Sequence, residues 1–262
     1  MRFSASKIKT FKSCRRLYEL KYIENLIPVE KSQALEIGSN YHKLLEYINS
    51  GGHLAMNPDF ALDYSKELAM ARAYEHYIAP FVKVKQAEKW LEKDLGNGDV
   101  LVGIADGIAE DGRLVEHKTC ASEITEQYEY NLLWDEQILT YMYLTGQRHV
   151  LYTVCRKPNI KQKKGESDEA FFYRMLEWYD TETDAKIRLL NIERTDDEVA
   201  EYEQELKRMI DEMKNANHFY RNNCHCNKYG RRCPYSSICL HYDKNQQYIE
   251  FMKGEEYESE NH

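Results

Sequence analysis

The sequence lacks any apolar run that approaches the roughly 20 residues of a membrane-spanning helix. We therefore expect no membrane association. It has only 5 prolines among 262 residues, and no stretch rich in serine, glycine and proline marks a linker. Because 42% of the residues are apolar, one substantial core can form and no second domain is required. These features predict one domain over residues 1–249.

The first 14 residues, MRFSASKIKTFKSC, are polar and basic and lack the apolar segment of a secretory signal. The sequence therefore predicts an intracellular, cytoplasmic protein. This location bears on the seven cysteines, because intracellular chains of this length do not need disulfides.

The formal net charge of −8 is unevenly distributed. Residues 250–262 carry five acids and one lysine, which predicts a disordered acidic tail. Basic residues form three clusters: Lys7, Lys9, Lys12, Arg15 and Arg16; Lys157, Lys161, Lys163 and Lys164; and Arg231 and Arg232. Such clusters fit a phosphate backbone, and they also fit an ordinary solvated face.

Hydrophobic periodicity and turn signals predict an α/β fold with a mixed central sheet flanked by helices. Helices are predicted over 6–22 (N-cap Ser4 or Ser6), 35–49, Asn57–Pro58 towards Pro80, 122–144, 168–178, and from the capping box at 195–198 to 215. Strands are predicted over 82–95, 100–108, 114–119, 149–156 and 185–193, with Asn97–Gly98 as the first hairpin turn.

The second hairpin brings two acidic residues together. Glu110–Gly112 fits a three-residue loop whose glycine takes the left-handed conformation, so that Ala109 pairs with Arg113. Counting back along this ladder places Asp106 opposite Glu116, on the same face of the sheet.

Lys118 lies two residues beyond Glu116 and shares its face. Two adjacent carboxylates repel each other unless a cation or a proton lies between them. Mg2+ binds a few carboxylate oxygens and retains several waters; such a water can attack a phosphodiester while a lysine offsets the developing charge. The pattern D-x9-E-x-K also arises by chance, in which case Glu116 and Lys118 form an ordinary exposed pair.

Four sequence blocks together resemble the RecB-type branch of the PD-(D/E)xK nuclease superfamily. They are Gly38-x3-His42 on an early helix, Gly103–Gly107 on a strand, Glu116–Thr119 on the next strand, and Gln137-x3-Tyr141 on the following helix. The blocks occur in the family's order and on the predicted element types, and they extend over residues 38–141. The resemblance implies a restriction-endonuclease-like core.

The resemblance also implies roles for individual residues. His42, Asp106 and Glu116 would ligate Mg2+ or Mn2+ with the help of the His117 carbonyl, and Lys118 would be the catalytic lysine. Gln137 and Tyr141 would position the scissile strand, and Glu88 on the preceding strand would be an additional acid near the site. Taken alone, His42 is also compatible with a structural histidine, and Gln137 and Tyr141 with a helix-face pair.

Four of the seven cysteines fall within sixteen residues, in the segment NCHCNKYGRRCPYSSICLHY. The spacing Cys226-x6-Cys233-x5-Cys239 supplies three thiolates, one fewer than a closed tetrahedral site needs. Candidates for the fourth ligand are Cys224, His225, His241 and the distant Cys14. Both zinc and an iron-sulfur cluster are chemically reasonable, and the spacing alone favours zinc.

The N-terminal pattern around Cys14, followed far downstream by Cys-Pro-Tyr-x3-Cys, resembles the iron-sulfur subset of RecB-type nucleases. The resemblance implies a 4Fe-4S cluster that joins the N- and C-terminal segments through Cys14, Cys226, Cys233 and Cys239. Cys224 is the rival of Cys226, while Cys120 and Cys155 are expected to be ordinary buried thiols.

Together these features predict a Mg2+- or Mn2+-dependent DNA exonuclease of recombination or repair, similar to those of phage and bacterial systems. Its expected partners are DNA and a recombination or single-strand annealing protein. The sequence lacks a phosphate-binding G-x4-GK[ST] motif, so a complete helicase-nuclease is excluded. Two alternatives remain: a CRISPR-associated spacer-capture nuclease of the same superfamily, and a non-catalytic DNA-binding module with a structural metal cluster.

Overall fold

The computed structural model of the protein describes residues 1–28, 33–54, 65–227, 232–240 and 251–253. The contacts that residues make in space divide the chain into two compact units. The first comprises Met1–Ser32, Asp94–Leu101 and Ala200–Asn261, and the second contains Gln33–Lys93 and Val102–Val199. The single domain expected over residues 1–249 stays a prediction.

The helices and strands follow one another as β1 (Arg2–Phe3), α1 (Ala5–Ser13), α2 (Arg15–Tyr18), a π-helical turn (Glu19–Ile23), β2 (Leu26–Pro28), α3 (Gln33–Asn49), α4 (Lys66–Tyr77), β3 (Val84–Gly96), β4 (Asp99–Ala109), β5 (Leu114–Cys120), α5 (Glu126–Leu132), α6 (Glu136–Thr145), β6 (His149–Arg156), α7 (Asp168–Asp180), a 3-10 turn (Thr183–Ala185), β7 (Ile187–Glu193), α8 (Asp196–Asn215), α9 (Ser236–Cys239) and β8 (Phe251–Lys253). In the described residues, no helix is both long enough and apolar enough to cross a bilayer.

The second unit is built on a mixed sheet, as the sequence predicts. β3 pairs with β4, β4 runs antiparallel to β5, β5 runs parallel to β6, and β6 runs antiparallel to β7. Helices α3 and α4 contribute Tyr41, Leu45 and Tyr74 to a core that includes Val115 of β5 and Leu151 of β6. The predicted α/β fold, with a mixed central sheet flanked by helices, is therefore confirmed.

The hairpin between β4 and β5 has the predicted register. The Ala109 amide donates to the Arg113 carbonyl at 2.8 Å, and Gly112 has a φ of 88°. This left-handed conformation favours glycine, which has no Cβ to clash. Further along, Gly107 pairs with Val115, so that the same register leads to Asp106 and Glu116 at the next position.

The first unit brings together both ends of the chain. β1 lies parallel to Val100–Leu101, and β2 lies antiparallel to β8. The acidic segment predicted to be disordered therefore contains a strand at residues 251–253, because these residues find backbone partners in β2. Residues 254–262 lie outside the described residues.

Two predicted helices are interrupted. Cys14 has φ −164° and ψ 113°, an extended conformation that separates α1 from α2 within the helix predicted over 6–22; Ser4 is the N-cap, as expected. The helix predicted over 122–144 is divided into α5 and α6 by residues 133–135, and Asp135 is the N-cap of α6. The start predicted at Asn57–Pro58 lies outside the described residues, and α4 begins after Ser65.

Candidate active site

Asp106 lies where β4 and β5 separate. Ile108 pairs with Leu114 and Gly107 with Val115 in this ladder. The His117 amide, the next one on β5 that faces β4, donates to Asp106 Oδ2 at 2.6 Å. One carboxylate oxygen of Asp106 thus serves as a backbone acceptor, which fixes the orientation of the other.

His42 of α3 contacts that second oxygen, with 3.1 Å between His42 Nδ1 and Asp106 Oδ1. Burial opposes ionisation of Asp106, but the neighbouring His42, His117 and Lys118 outweigh it and hold the pKa of the carboxyl well below its usual range. Burial likewise disfavours the charged imidazole, yet the Asp106 carboxylate raises the pKa of His42 overall. The pair is therefore held as an ion pair or a charge-assisted hydrogen bond.

Glu116 and Lys118 form the second charged pair of the site. The Lys118 ammonium donates to Glu116 Oε1, while Glu116 Oε2 is buried and has no hydrogen-bond partner among the residues that the structure describes. Burial and the nearby Asp106 raise the pKa of Glu116 against the opposing effect of Lys118. Burial lowers the pKa of Lys118, but the carboxylates of Glu116 and Asp106 more than offset this and raise it.

Helix α6 connects Lys118 to β4 through Gln137 and Tyr141. Gln137 Oε1 accepts from Lys118 Nζ at 3.0 Å, and Gln137 Nε2 donates to the Tyr141 hydroxyl at 2.8 Å. That hydroxyl donates in turn to the Ile104 carbonyl at 2.6 Å. Tyr141 is buried, so in the protein without DNA its hydroxyl anchors the Gln137 side chain.

Gly103 permits this arrangement, because a Cβ at this position would lie 2.7 Å from Tyr141 Cε1. No other residue allows so close an approach without displacing the ring. The glycine at the start of the Gly103–Gly107 block therefore has a packing explanation within the protein.

His117 points to the other face of β5, away from Glu116 and Lys118, as strand alternation requires. Its imidazole is buried and lies 2.6 Å from Thr153 Oγ1 and 3.1 Å from Asn49 Nδ2. Burial lowers the pKa of His117 to about 4, so the ring is neutral at physiological pH. The ligand role predicted for the His117 carbonyl stays a prediction.

The chemistry of this donor set fits a hard divalent cation. The buried Glu116 carboxylate, the partly buried Asp106 carboxylate and the His42 imidazole are neighbours, and within the described part of the chain Glu116 Oε2 is an acceptor without a donor. Among the described residues, however, no three His, Cys, Asp or Glu side chains already converge as metal ligands. In this structure Lys118 binds Glu116, while His42 and the His117 backbone amide bind Asp106.

Sequence reasoning missed Asp135 and a pair of tyrosines. Asp135 Oδ1 accepts from the backbone amide of Gln137 at 2.9 Å, and the charge of Asp135 contributes to raising the pKa of Lys118. The hydroxyls of Tyr128 and Tyr152 lie 3.3 Å apart, and Tyr152 is the register partner of Glu116. The sequence signal for Asp135 is that aspartate is a preferred N-cap residue. This signal is easily overlooked because the apolar helical pattern continues past Asp135.

Glu88, predicted as an additional acid near the site, lies within β3 with a φ of 49°. A positive φ is uncommon for a residue other than glycine, so the backbone of β3 is locally irregular at this point. The role of Glu88 near the metal site stays a prediction.

The four cysteines assigned to the cluster share one neighbourhood within the first unit. The Asn222 amide donates to Cys14 Sγ at 3.4 Å, and Cys226 Sγ donates to the Asn222 carbonyl at 3.5 Å. Burial raises the pKa of Cys233 and Cys239, and in both cases Cys14 and Cys226 add to the effect. The rival Cys224 is exposed.

Cys120 and Cys155, expected to be buried thiols, lie at the carboxyl end of β5 and β6. Cys155 is fully buried, while Cys120 is only partly buried. Burial raises the pKa of Cys155 to about 12 and that of Cys120 to about 11. Both are therefore protonated and poor nucleophiles at physiological pH.

Comparison with solved structures finds several proteins that this chain is similar to. A protein of Eubacterium rectale, provisionally named as an exonuclease, shares the fold with a TM-score of 0.53 and 14% identity, covering 94% of this chain and 90% of that one. An alkaline exonuclease of Laribacter hongkongensis has a TM-score of 0.39 and 16% identity over 81% of this chain and 88% of its own. A phage-related exonuclease of Haemophilus somnus 129PT has a TM-score of 0.38 and 12% identity over 82% and 95%.

No curated protein is significantly similar in sequence. The sequence model of one family, however, matches residues 2–240, which is most of the chain and includes every residue of the site described above. The chain belongs to the PD-(D/E)XK nuclease superfamily.

Proposed function

We propose that the chain is a Mg2+- or Mn2+-dependent DNA exonuclease. The observation that carries this proposal is the proximity of Asp106, Glu116 and Lys118, with Glu116 Oε2 buried and without a hydrogen-bond partner in the described ranges. A buried acceptor of this kind costs free energy in the free protein, and a bound cation would offset that cost.

The chain's own residues would hold and orient the reacting groups. Asp106, Glu116 and His42 would bind the cation, which would supply Lewis acidity for phosphodiester hydrolysis. The Lys118 ammonium, which stays charged at neutral pH, would neutralise charge that develops on the phosphate. Gln137 keeps that ammonium directed into the site, and Asp135 caps the helix that carries Gln137.

The edge of the sheet beside Lys118 also offers positive charge. β5 and β6 run parallel, and the Lys157 amide binds the Cys120 carbonyl at the end of β5. The basic loop that contains Lys157, Lys161, Lys163 and Lys164 therefore starts at the same sheet edge as the site. These lysines are candidates for contacts to the phosphate backbone.

The experiment is digestion of DNA labelled at the 5′ or the 3′ end, supplied as linear and as covalently closed circular molecules, with Mg2+, Mn2+ or EDTA. We expect metal-dependent release of short products from linear DNA, an intact circle, and no reaction with the Lys118→Ala variant. Cleavage of the circle would instead indicate an endonuclease. Binding without cleavage in either metal would identify a non-catalytic DNA-binding module.

We further propose that Cys14, Cys226, Cys233 and Cys239 hold a 4Fe-4S cluster, with zinc as the less favoured occupant. The support is that Cys14 and Cys226 both contact Asn222, and that both also act electrostatically on Cys233 and Cys239. Anaerobic purification followed by iron, sulfide and zinc analysis tests it. Stoichiometric zinc without iron would refute the cluster.

A role in recombination or repair in the cytoplasm, beside a recombination or single-strand annealing protein, completes the proposal. The fold shared with the Eubacterium rectale protein is compatible with it. Co-purification of the chain with such a partner from the native host tests this part. The partner should no longer be recovered when the gene for this chain is deleted.

A further inference from the structure

A chain of hydrogen-bonded polar side chains, buried except for the partly buried Asn49, lies behind the candidate active site. The Tyr74 hydroxyl of α4 donates to Asn49 Oδ1 at 3.0 Å. Asn49 Nδ2 lies 3.1 Å from His117 Nε2, and His117 Nδ1 lies 2.6 Å from Thr153 Oγ1. The Tyr74 ring also packs edge-on against the imidazole, with 5.2 Å between ring centroids. Four elements, α3, α4, β5 and β6, thus meet at one imidazole.

The directions of these hydrogen bonds follow from their donors. Since Asn49 Oδ1 accepts from Tyr74, the amide nitrogen faces His117, and an amide nitrogen can only donate. His117 Nε2 is therefore the acceptor, which leaves the imidazole proton on Nδ1. That proton is donated to Thr153 Oγ1. The network fixes both the orientation and the tautomer of the ring.

The same residue controls Asp106 through its backbone. The His117 amide donates to Asp106 Oδ2, so any rotation of the His117 peptide group moves the carboxylate. Helix α3 strengthens this coupling because it carries both Asn49 and His42, seven residues apart and on one helix face. Asn49 binds the His117 ring, and His42 binds Asp106 Oδ1.

We propose that Asn49, Tyr74 and Thr153 are positioning residues that hold His117 and thereby set the Asp106 carboxylate for metal binding. This inference rests on the proposed function in that Asp106 is taken as a metal ligand. None of the three residues touches the carboxylate itself through a described hydrogen bond, and they act through His117. Outer contacts of this kind typically change metal affinity by about 10- to 100-fold when removed.

Thr153 offers a matched pair of variants. Thr153→Val keeps the shape of the side chain and removes the hydroxyl, whereas Thr153→Ser keeps the hydroxyl and removes a methyl group. A merely structural role would make the serine variant at least as harmful as the valine variant. A hydrogen-bonding role predicts the reverse order for metal binding, with Asn49→Leu resembling Thr153→Val.

The measurement is Mn2+ affinity by electron paramagnetic resonance, without DNA, alongside nitrogen NMR of the His117 ring. We expect about a tenfold weaker Mn2+ affinity for Thr153→Val and a change of less than about twofold for Thr153→Ser. In the wild type, the ring nitrogens should show the proton on Nδ1. Equal affinities for the two variants, or a proton on Nε2 in the wild type, would overturn the proposal.

This design separates the inference from the proposed nuclease activity. A wild-type protein that binds Mn2+ but leaves DNA intact would refute the activity, while the affinity ratio would still decide the positioning role. If the wild type bound no Mn2+, Asp106 would not be a metal ligand and the inference would fall with that assignment.

Discussion

The Tyr141 hydroxyl on α6 donates a 2.6 Å hydrogen bond to the Ile104 carbonyl on β4, two residues before Asp106. It accepts from Gln137 Nε2, and Gln137 Oε1 accepts from Lys118. The ammonium on β5 is thereby tied to the strand that carries the opposing carboxylate. The distance between the two charged groups depends on this relay as well as on the hairpin that joins their strands.

Removing the Tyr141 hydroxyl should therefore impair activity and stability together. In Tyr141→Phe, Ile104 loses a donor and Gln137 loses an acceptor. We expect the free energy of unfolding to fall by about 1–2 kcal/mol. The single-turnover cleavage rate should fall about tenfold because the Lys118 ammonium loses its fixed position. Urea denaturation and rapid-quench cleavage measure the two effects.

Tyr130→Phe is the control, since Tyr130 is 55% exposed at the surface of the same unit. Its free energy of unfolding should stay within about 0.5 kcal/mol of the wild-type value. If Tyr141→Phe were as stable and as active as Tyr130→Phe, the relay would have no energetic role.

Gly103→Ala should disturb the same contact by steric means. The added Cβ would lie 2.7 Å from Tyr141 Cε1 and 3.3 Å from Cδ1, so the ring must move. We expect a loss of about 1–3 kcal/mol of unfolding free energy. Cleavage should also slow, because the hydroxyl leaves Ile104. Thermal unfolding and cleavage assays on the purified variant test both expectations.

Gly38→Ala is the matched glycine control. At this position on α3 the nearest atom to an added Cβ is Thr119 Oγ1 at 3.8 Å, an ordinary contact. Alanine should stabilise the helix by about 1 kcal/mol relative to glycine. A destabilised Gly38→Ala protein, or an unaffected Gly103→Ala protein, would contradict this account of the two glycines.

Part of this site could be predicted from the sequence because its information is local. The three-residue loop Glu110–Gly112 sets the register of the hairpin, and the Ala109–Arg113 pair is confirmed. Once that register is set, Asp106 and Glu116 must lie near each other. The spacing of two residues then brings Lys118 to the same face as Glu116.

The remainder could not be predicted, because its partners are distant in sequence. Asn49, Tyr74 and Thr153 meet at His117 from three other elements, and no spacing links them. The interruption at Cys14 is similar, since helical periodicity continues across a residue whose backbone is extended. Tertiary contacts override local propensity at these points.

Glu116→Gln should separate stability from function. Burial and Asp106 raise the pKa of Glu116 in the folded state above its unfolded value. The unfolded carboxyl therefore ionises first as pH rises, so the wild type loses stability from the ordinary glutamate range upward until the folded-state pKa is passed. The neutral amide avoids this loss. Without metal at pH 7, Glu116→Gln should melt at a higher temperature than the wild type and cleave no DNA.

Mn2+ should reverse the order of the two melting temperatures. The wild type gains stability from the bound cation, whereas Glu116→Gln binds the cation poorly. Thermal melts from pH 4 to pH 8, with and without Mn2+, measure both effects. A variant that melts below the wild type at pH 7 without metal would show that the ionised carboxylate stabilises the fold.

The cysteine assignment makes a prediction that concerns both ends of the first unit. The Cys14 thiol accepts a hydrogen bond from the Asn222 backbone amide. Cys224 is exposed, and its backbone amide donates to Asn222 Oδ1. Cys224→Ala should therefore retain the iron content, the brown colour and the protease resistance of the wild type.

Cys14→Ala should lose all three properties, because an incomplete set of thiolate ligands cannot hold a 4Fe-4S cluster. Closing a loop of over two hundred residues, from Cys14 to Cys239, is worth about 4–5 kcal/mol on the chain-entropy argument. We expect metal–thiolate bonds to act similarly, so that both chain ends of Cys14→Ala become accessible to trypsin. Iron analysis, visible absorbance and limited proteolysis of anaerobically purified protein provide the measurements. If Cys14→Ala kept the iron and Cys224→Ala lost it, Cys224 would be the ligand, and the N-terminal segment would be held without the cluster.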